Sequence, residues 1–376
     1  MGTRQFTSPD PDLDLLYRDL GTRQLQPLWE LKGLLTPSPR VRSVPYRWSA
    51  RDLRSLGERA GRLVPIDRGG DRRVLACANP GLDGAPYAVS TLWAAVQYLG
   101  PHEVAPAHRH TPAALRFILK GSGVWTLVNG DPLSMSAGDL ILTPSWNYHE
   151  HHNSTDEPML WMDVLDLPVV AALEAVFFEE GPSEEVERLT DPVSQSERNY
   201  GSAGLLPPPR QRTLPRHSPL LAYRWADTDR ALARRLELTG AETATMTYVD
   251  PSRGTDVMPT MRCEAHRVLA GGRSPRLRQT GSRVATVFRG SGVAIVGHER
   301  FDVASGDIIA IPSWTTWQLE AHDELDVFST SDAPVLDALG LYREEEVPLI
   351  SSTDPGPLPA EWGSAPGNPH PDGRYV

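Results

Sequence analysis

The chain is short of lysine, of cysteine and of net positive charge. Among 376 residues only Lys32 and Lys120 are lysines, so nearly all 37 basic residues are arginine, and 48 acidic residues leave a formal charge of −11. Proteins that bind a phosphate backbone draw their affinity from clustered positive charge, so this balance argues against nucleic acid. The two cysteines, Cys77 and Cys263, lie far apart. They fit neither a secreted disulfide scaffold nor the C-x-x-C spacing of a zinc knuckle, and read as small buried hydrophobes in a reduced cytosol. No run approaches the ~18 apolar residues of a membrane span. The acidic opening MGTRQFTSPDPDLDLLYRDL lacks the apolar stretch of a signal peptide. An unexported, cytoplasmic chain with no membrane partner is expected.

What the chain does have is length and a repeat. At roughly 150 residues per domain, its length predicts about two domains. GSGVWTLVNG at 121–130 and AGDLILTPSWNYH at 137–149 return, at a spacing one residue shorter, as GSGVAIVGHE at 290–299 and SGDIIAIPSWTTW at 305–317. Each copy alternates apolar positions (Val124, Thr126, Val128; Leu140, Leu142) between turn residues such as Asn129-Gly130 and Ala137-Gly138-Asp139. Short alternating strands separated by turns predict an all-β sandwich or barrel without parallel βαβ units. Gly121-Ser122-Gly123 falls between strands in both copies and reads as a tight turn, not a phosphate loop.

The flanks differ in texture. Helix-like runs occupy 10–62 (Leu13, Leu15, Leu16, Leu20; then Leu53, Leu56, Leu63), with Ser49 placed to cap the second. Residues 169–189 look partly helical, 190–220 form a Pro/Ser/Arg-rich connector containing Pro207-Pro208-Pro209, and 226–238 read as a short amphipathic helix. The expected order is a helical N-terminal arm at 1–70, a metal-binding barrel at 71–170 and a connector with helices at 171–250. A second barrel without ligands follows at 251–345, then a Pro/Gly-rich tail at 346–376.

Six of the eleven histidines, at 102, 108, 110, 149, 151 and 152, crowd into the first copy. On a strand, His108 and His110 share a face, and the hairpin ending at His149 can return a third imidazole to them. Three neutral imidazoles suit Fe, Zn, Ni or Cu more than Mg or Ca. An H-x-H pair alone is ordinarily an exposed strand pair. The second copy, however, carries Leu277, Gln279 and Trp317 at the corresponding positions, as a copy kept only for structure should. His152 alternates away from His149 and His102 lies in a turn, so neither is assigned to the metal.

Gly138, Pro144, Trp146, His149 and Asn153, following the H-x-H, resemble the two sequence motifs of the cupin fold. No Glu follows His110 closely, and Trp146 stands where Gly is commoner. Both departures are similar to those of the gentisate 1,2-dioxygenase group, which includes salicylate and 1-hydroxy-2-naphthoate dioxygenases. The resemblance runs from Leu28-Trp29 to Leu341-Tyr342-Arg343 and is most specific at 79–117, 143–153 and 256–267. It implies an all-β bicupin: two double-stranded β-helix (jelly-roll) barrels with a helical N-terminal arm and a helical inter-barrel connector. It also implies one Fe(II) per chain on His108, His110 and His149, with an aromatic hydroxy acid and O2 as substrates. The ring would open between C1 and C2, gentisate giving maleylpyruvate, in a homo-oligomer that is a tetramer in this group.

The same resemblance assigns Arg72 and Arg116 to the substrate carboxylate, and Asp163 and His151 to orienting the substrate or handling its proton. Trp93 and Gln97 line the pocket. Ala95 stands where the group carries Ala or Gly, which implies a slightly tighter pocket. Gentisate or a substituted salicylate is the expected substrate, with 1-hydroxy-2-naphthoate or another specialised aromatic acid as alternatives. A non-catalytic ligand-binding cupin would not need Arg72, Arg116, His151 and Asp163 together. A zinc-dependent hydrolase or isomerase is the remaining alternative for three histidines.

Overall fold

A computed structural model describes residues 6–31, 33–64, 73–181, 193–208 and 215–348. The alternating segments pair, always antiparallel, into two six-stranded and two five-stranded sheets. In the first barrel, a six-stranded sheet runs in the order Ala222–Tyr223, Leu140–Thr143, Ala114–Lys120, Met159–Leu165, Trp93–Leu99, Val74–Ala76. It faces a five-stranded sheet ordered Phe178–Glu180, Val104–His110, His149–Asn153, Ser122–Val128, Asp131–Ser136. The second barrel repeats both orders strand for strand, from Tyr46–Trp48 to Thr243–Tyr248 in one sheet and from Glu344–Glu346 to Glu299–Ala304 in the other. The fold is the bicupin that the repeat and the motifs predict.

Turn chemistry sets the hairpins. Asn129 and Gly130 both take positive φ, 48° and 80°, the left-handed pair that a two-residue hairpin needs. The six-stranded sheets turn their outer faces toward each other, so Leu115, Phe117 and Met162 of one barrel share a hydrophobic core with Ala265, Val284 and Phe328 of the other. Phe117 and Phe328 stack there with ring centroids 4.3 Å apart. The inside of the second barrel holds a separate apolar cluster around Val287, Trp317 and Leu319.

The sheets do not respect the divisions drawn from the sequence. Tyr46–Trp48, in the N-terminal arm, pairs with Ile308–Ile311 of the second barrel, whereas Ala222–Tyr223, in the connector, pairs with Leu140–Thr143 of the first. Each donated strand leads into a helix, Ala50–Leu63 or Trp225–Thr239, that returns to the chain's next barrel. The Gly-Asp of the repeat anchors both exchanges. Asp139 accepts hydrogen bonds from Arg224 Nη1 at 2.6 Å and from the Trp225 backbone at 2.9 Å. Asp307 does the same for Arg47 Nη1 at 3.0 Å and the Ala50 backbone at 2.7 Å.

Ser49 caps its helix as expected, accepting from the Asp52 backbone. The stretch 169–189 is helical in part, as expected, through Ala172, and it also holds the strand Phe178–Glu180, paired with the strand that carries His108 and His110. Residues 182–189 of that stretch, part of the proline-rich connector and the tail from 349 onward lie outside the described residues. Among the described residues no helix is long and apolar enough to cross a membrane.

Candidate active site

Strands Val104–His110 and His149–Asn153 pair with His108 opposite His149, after an irregularity between Ala105 and His108. This register brings one ring nitrogen each of His108, His110 and His149 within 4.8 Å of one another. The ring centroids of His108 and His149 are 4.3 Å apart and those of His110 and His149 4.9 Å. In each residue Nδ1 lies against a backbone carbonyl two positions away in sequence: Pro106 O at 3.0 Å, Pro112 O at 2.7 Å and Asn147 O at 3.0 Å. A carbonyl only accepts, so Nδ1 carries the proton and Nε2 keeps its lone pair.

His149 Nε2 is buried with no hydrogen-bond partner, as a nitrogen reserved for a metal would be. Burial, aided by nearby Arg116 and the neighbouring imidazoles, holds His149 well below the ordinary histidine range and pushes His110 down to about 4. Three convergent imidazoles with their Nδ1 atoms held to backbone carbonyls form a set that can hold a metal ion.

The facing sheet supplies the opposite wall. Arg116 and Asp163 are registered partners, with Nε 3.2 Å from Oδ1. Thr143 Oγ1 accepts a hydrogen bond from Arg116 Nη1, and Trp161 Nε1 donates to Asp163 Oδ2 at 3.1 Å. Burial outweighs both of Asp163's favourable partners and pushes its carboxyl up to about 6. Ala95 and Gln97 stand opposite Asp163 and Trp161 on the same inner face, both buried, and Trp93 is half-buried at the strand's start.

His151 is buried two residues beyond His149, its ring 6.0 Å from that of His149 and its Nδ1 2.8 Å from Thr126 Oγ1. Burial and the Arg116 charge hold it well below its ordinary pKa. His152 sits opposite Trp125 on the other face, 3.1 Å from Glu150, and His102 lies in an exposed turn, bonded to Asp156. Arg72 falls outside the described residues. Its neighbour Arg73 is buried, ion-paired to Glu103 and bonded to the carbonyls of Gly61 and Val64, so it anchors the chain outside the pocket.

Sequence reading overlooked the side chains that brace these groups. Thr126, Thr143 and Trp161 lie on inward-alternating positions and were findable by strand period alone. Phe178, whose ring stacks on that of His108 at 5.5 Å, gave no such signal, because it arrives from the connector.

The second barrel serves as an internal comparison. Leu277 faces Trp317 where His108 faces His149. Ala285 takes the place of Arg116, and Arg283, two residues earlier on that strand, is taken up by Glu264, by Gln279 Oε1 at 2.8 Å and by the Trp317 ring at 5.2 Å. This interior is filled by its own side chains.

The family described as Cupin domain matches residues 95–165. A gentisate 1,2-dioxygenase of a Streptomyces species is 47% identical over 340 residues, 88% of this chain and 94% of that protein. A 5-aminosalicylate 1,2-dioxygenase of a Comamonas species is 34% identical over 89% of this chain and 90% of its own. Among solved structures, the salicylate 1,2-dioxygenase of Pseudoaminobacter salicylatoxidans, as adducts with gentisate, superposes with a TM-score of 0.86 at 42% identity, covering 92% of this chain and 97% of that one. The chain belongs to the gentisate 1,2-dioxygenase group of bicupin ring-cleaving dioxygenases.

Proposed function

We propose that the chain uses one Fe(II), held by His108, His110 and His149, and O2 to cleave the C1–C2 bond of a 2-hydroxybenzoate-type acid, with gentisate or a substituted salicylate as substrate. The observation that carries this reading is a set of three convergent imidazoles facing a buried Arg116–Asp163 pair across one barrel. Iron, when bound, supplies the redox chemistry with O2 and polarises the substrate phenol.

The chain's own residues do the rest. Arg116, held by Thr143, offers a forked cation to the substrate carboxylate in a site shielded from water, with Arg72 as the second proposed carboxylate contact. Asp163, poised near pH 6, exchanges a proton more readily than an ordinary carboxylate. His151, neutral and fixed through Nδ1 by Thr126, is placed to take or return the proton of the substrate hydroxyl. Trp93, Ala95 and Gln97 shape the wall, and the Ala95 methyl group next to Asp163 limits the room there.

Exposed apolar side chains on the N-terminal segment, including Leu25, Leu28, Trp29 and Leu35, support a homo-oligomer, a tetramer on the family resemblance. The free, buried thiols of Cys77 and Cys263 suit a cytoplasmic location.

The test is anaerobic reconstitution with Fe(II), followed by oxygen uptake with gentisate, salicylate, 1-hydroxy-2-naphthoate and substituted salicylates. Oxygen consumption with gentisate or a substituted salicylate is expected. Absence of uptake with the whole panel would sink the proposal, and turnover with Zn in the absence of O2 would favour a hydrolase or isomerase.

A further inference from the structure

We infer that Phe178 is a positioning residue for the metal centre, steering His108 from the edge strand of its sheet; this rests on the three-histidine reading above. His108, like His110, is half-buried, whereas His149 is buried, and the His108 Nδ1 lies against the carbonyl of Pro106 in its own strand. An aromatic ring stacked on an imidazole limits its rotation about the Cα–Cβ bond.

The strap Phe178–Glu180 supplies such a ring. It adds a strand beside Val104–His110, with Phe178 opposite His110, Glu179 opposite Arg109 and Glu180 opposite His108. Registered partners share a face, so Phe178 projects on the side of His108 and His110. Its ring lies at 28° to the His108 imidazole with centroids 5.5 Å apart, the offset-stacked range for aromatic pairs.

The repeat separates what docks the strap from what serves the metal. In the first barrel Arg109 gives two hydrogen bonds to Glu179, at 2.8 and 2.6 Å, and stands over the Trp146 ring at 4.4 Å. In the second barrel Arg278 pairs with Glu345 and stands over Trp314 at 4.7 Å. Both tryptophans hold positive φ, 63° and 56°, and both donate their backbone N–H to the residue at the His110 position, His110 itself or Gln279. The docking device is therefore common to the barrel with the three-histidine set and to the barrel with no histidine at those positions. The aromatic ring is not. Glu344 stands opposite Gln279 as Phe178 stands opposite His110, and it accepts from Tyr342 Oη at 2.6 Å. Where the ligand position is Leu277, no stacking ring is present among the described residues.

The experiment titrates the apoprotein with Co(II) alone, by competition with a chromophoric chelator, and records the ligand-field bands of the loaded protein. Phe178→Ala should weaken Co(II) binding about tenfold or more and alter the bands, the effect typical of losing a group that orients a metal ligand. Phe178→Tyr should restore both, and Glu344→Ala should change neither. If Phe178→Ala misfolds, Phe178→Leu, which keeps the bulk and loses the ring, carries the same expectation. Wild-type Co(II) affinity and bands in a folded Phe178→Ala or Phe178→Leu variant would overturn the inference, whatever its oxygenase activity. His149→Ala in the same assay tests the ligand reading by itself: unchanged Co(II) binding there removes the premise, so the two failures are distinguishable.

Discussion

Arg116 and Asp163 face each other across neighbouring strands inside the first barrel, Nε to Oδ1 3.2 Å, with each side chain only 5% exposed. Removing one member of such a pair strands a charge in a poor dielectric. Arg116→Met should therefore cost about 3–5 kcal/mol in urea unfolding. Adding Asp163→Leu should recover much of that loss without recovering activity. If Arg116→Met alone matches the wild type in both assays, the pair has neither role.

The metal assignment predicts an asymmetry between the barrels. His149→Ala should lose bound iron and oxygen uptake together. Trp317→Leu, at the corresponding place in the second barrel, should keep one iron per chain and lower only thermal stability, because Trp317 packs among Leu319 and Val327. Metal analysis of the two purified variants decides it. Full iron in His149→Ala would refute the ligand set.

Pocket size is set at Ala95, which is fully buried and registered opposite both Asp163 and Ala76. Two added methyl groups in Ala95→Val have nowhere to go without displacing a neighbour, at a cost of about 1–3 kcal/mol. The expected outcome is a lower kcat/KM for gentisate with unchanged iron content, and Ala95→Gly should admit bulkier ring substituents. Equal kcat/KM for all three forms across the substrate panel would remove Ala95 as a determinant.

Part of the acid sensitivity should arise in the second barrel, beside the contribution of the buried histidines of the first. His266 is buried between Thr245 Oγ1 at 3.0 Å and Ser329 Oγ at 2.8 Å, facing Trp317 with Glu264 and Arg283 nearby. Burial pushes it down to about 4, with Glu264 opposing that shift and Arg283 reinforcing it. The unfolded chain, with a histidine pKa near ~6.5, takes up this proton first. Stability is thus fully present above about 6.5 and is lost as pH falls toward 4, by about 3 kcal/mol at the low end. Glu264, held down to about 2 by Arg283 against its burial, stays ionised through that window. Urea midpoints at pH 7.5 and 4.5 measure the loss, and His266→Gln should reduce it. An unchanged pH dependence in that variant would count against the assignment.

Much of this was legible because it is local. Strand alternation put His108 with His110, and His149 with His151, on shared faces. Asn129-Gly130 marked a hairpin by its tolerance of positive φ. Leu277, Gln279 and Trp317, standing where the first copy has its three clustered histidines, separated the barrel with the candidate metal site from its twin. Asp139 shows where such reading stops. As part of Ala137-Gly138-Asp139 it reads as a turn residue, yet its carboxylate also receives Arg224 and the start of the helix Trp225–Thr239.

The sequence by itself determined two related barrels, one set of three imidazoles and a family. Those features rest on periodicity, turn chemistry and motif spacing, all of which act over a few residues. Tertiary structure alone decided which strand each barrel borrows, that Phe178 reaches His108, and that Arg116 meets Asp163 while Arg283 meets Glu264. The borrowed strands Tyr46–Trp48 and Ala222–Tyr223 and the strap Phe178–Glu180 are too short to carry a period. Their positions follow from edge pairing with distant strands, where burial and backbone hydrogen bonding are satisfied only once both barrels are packed together.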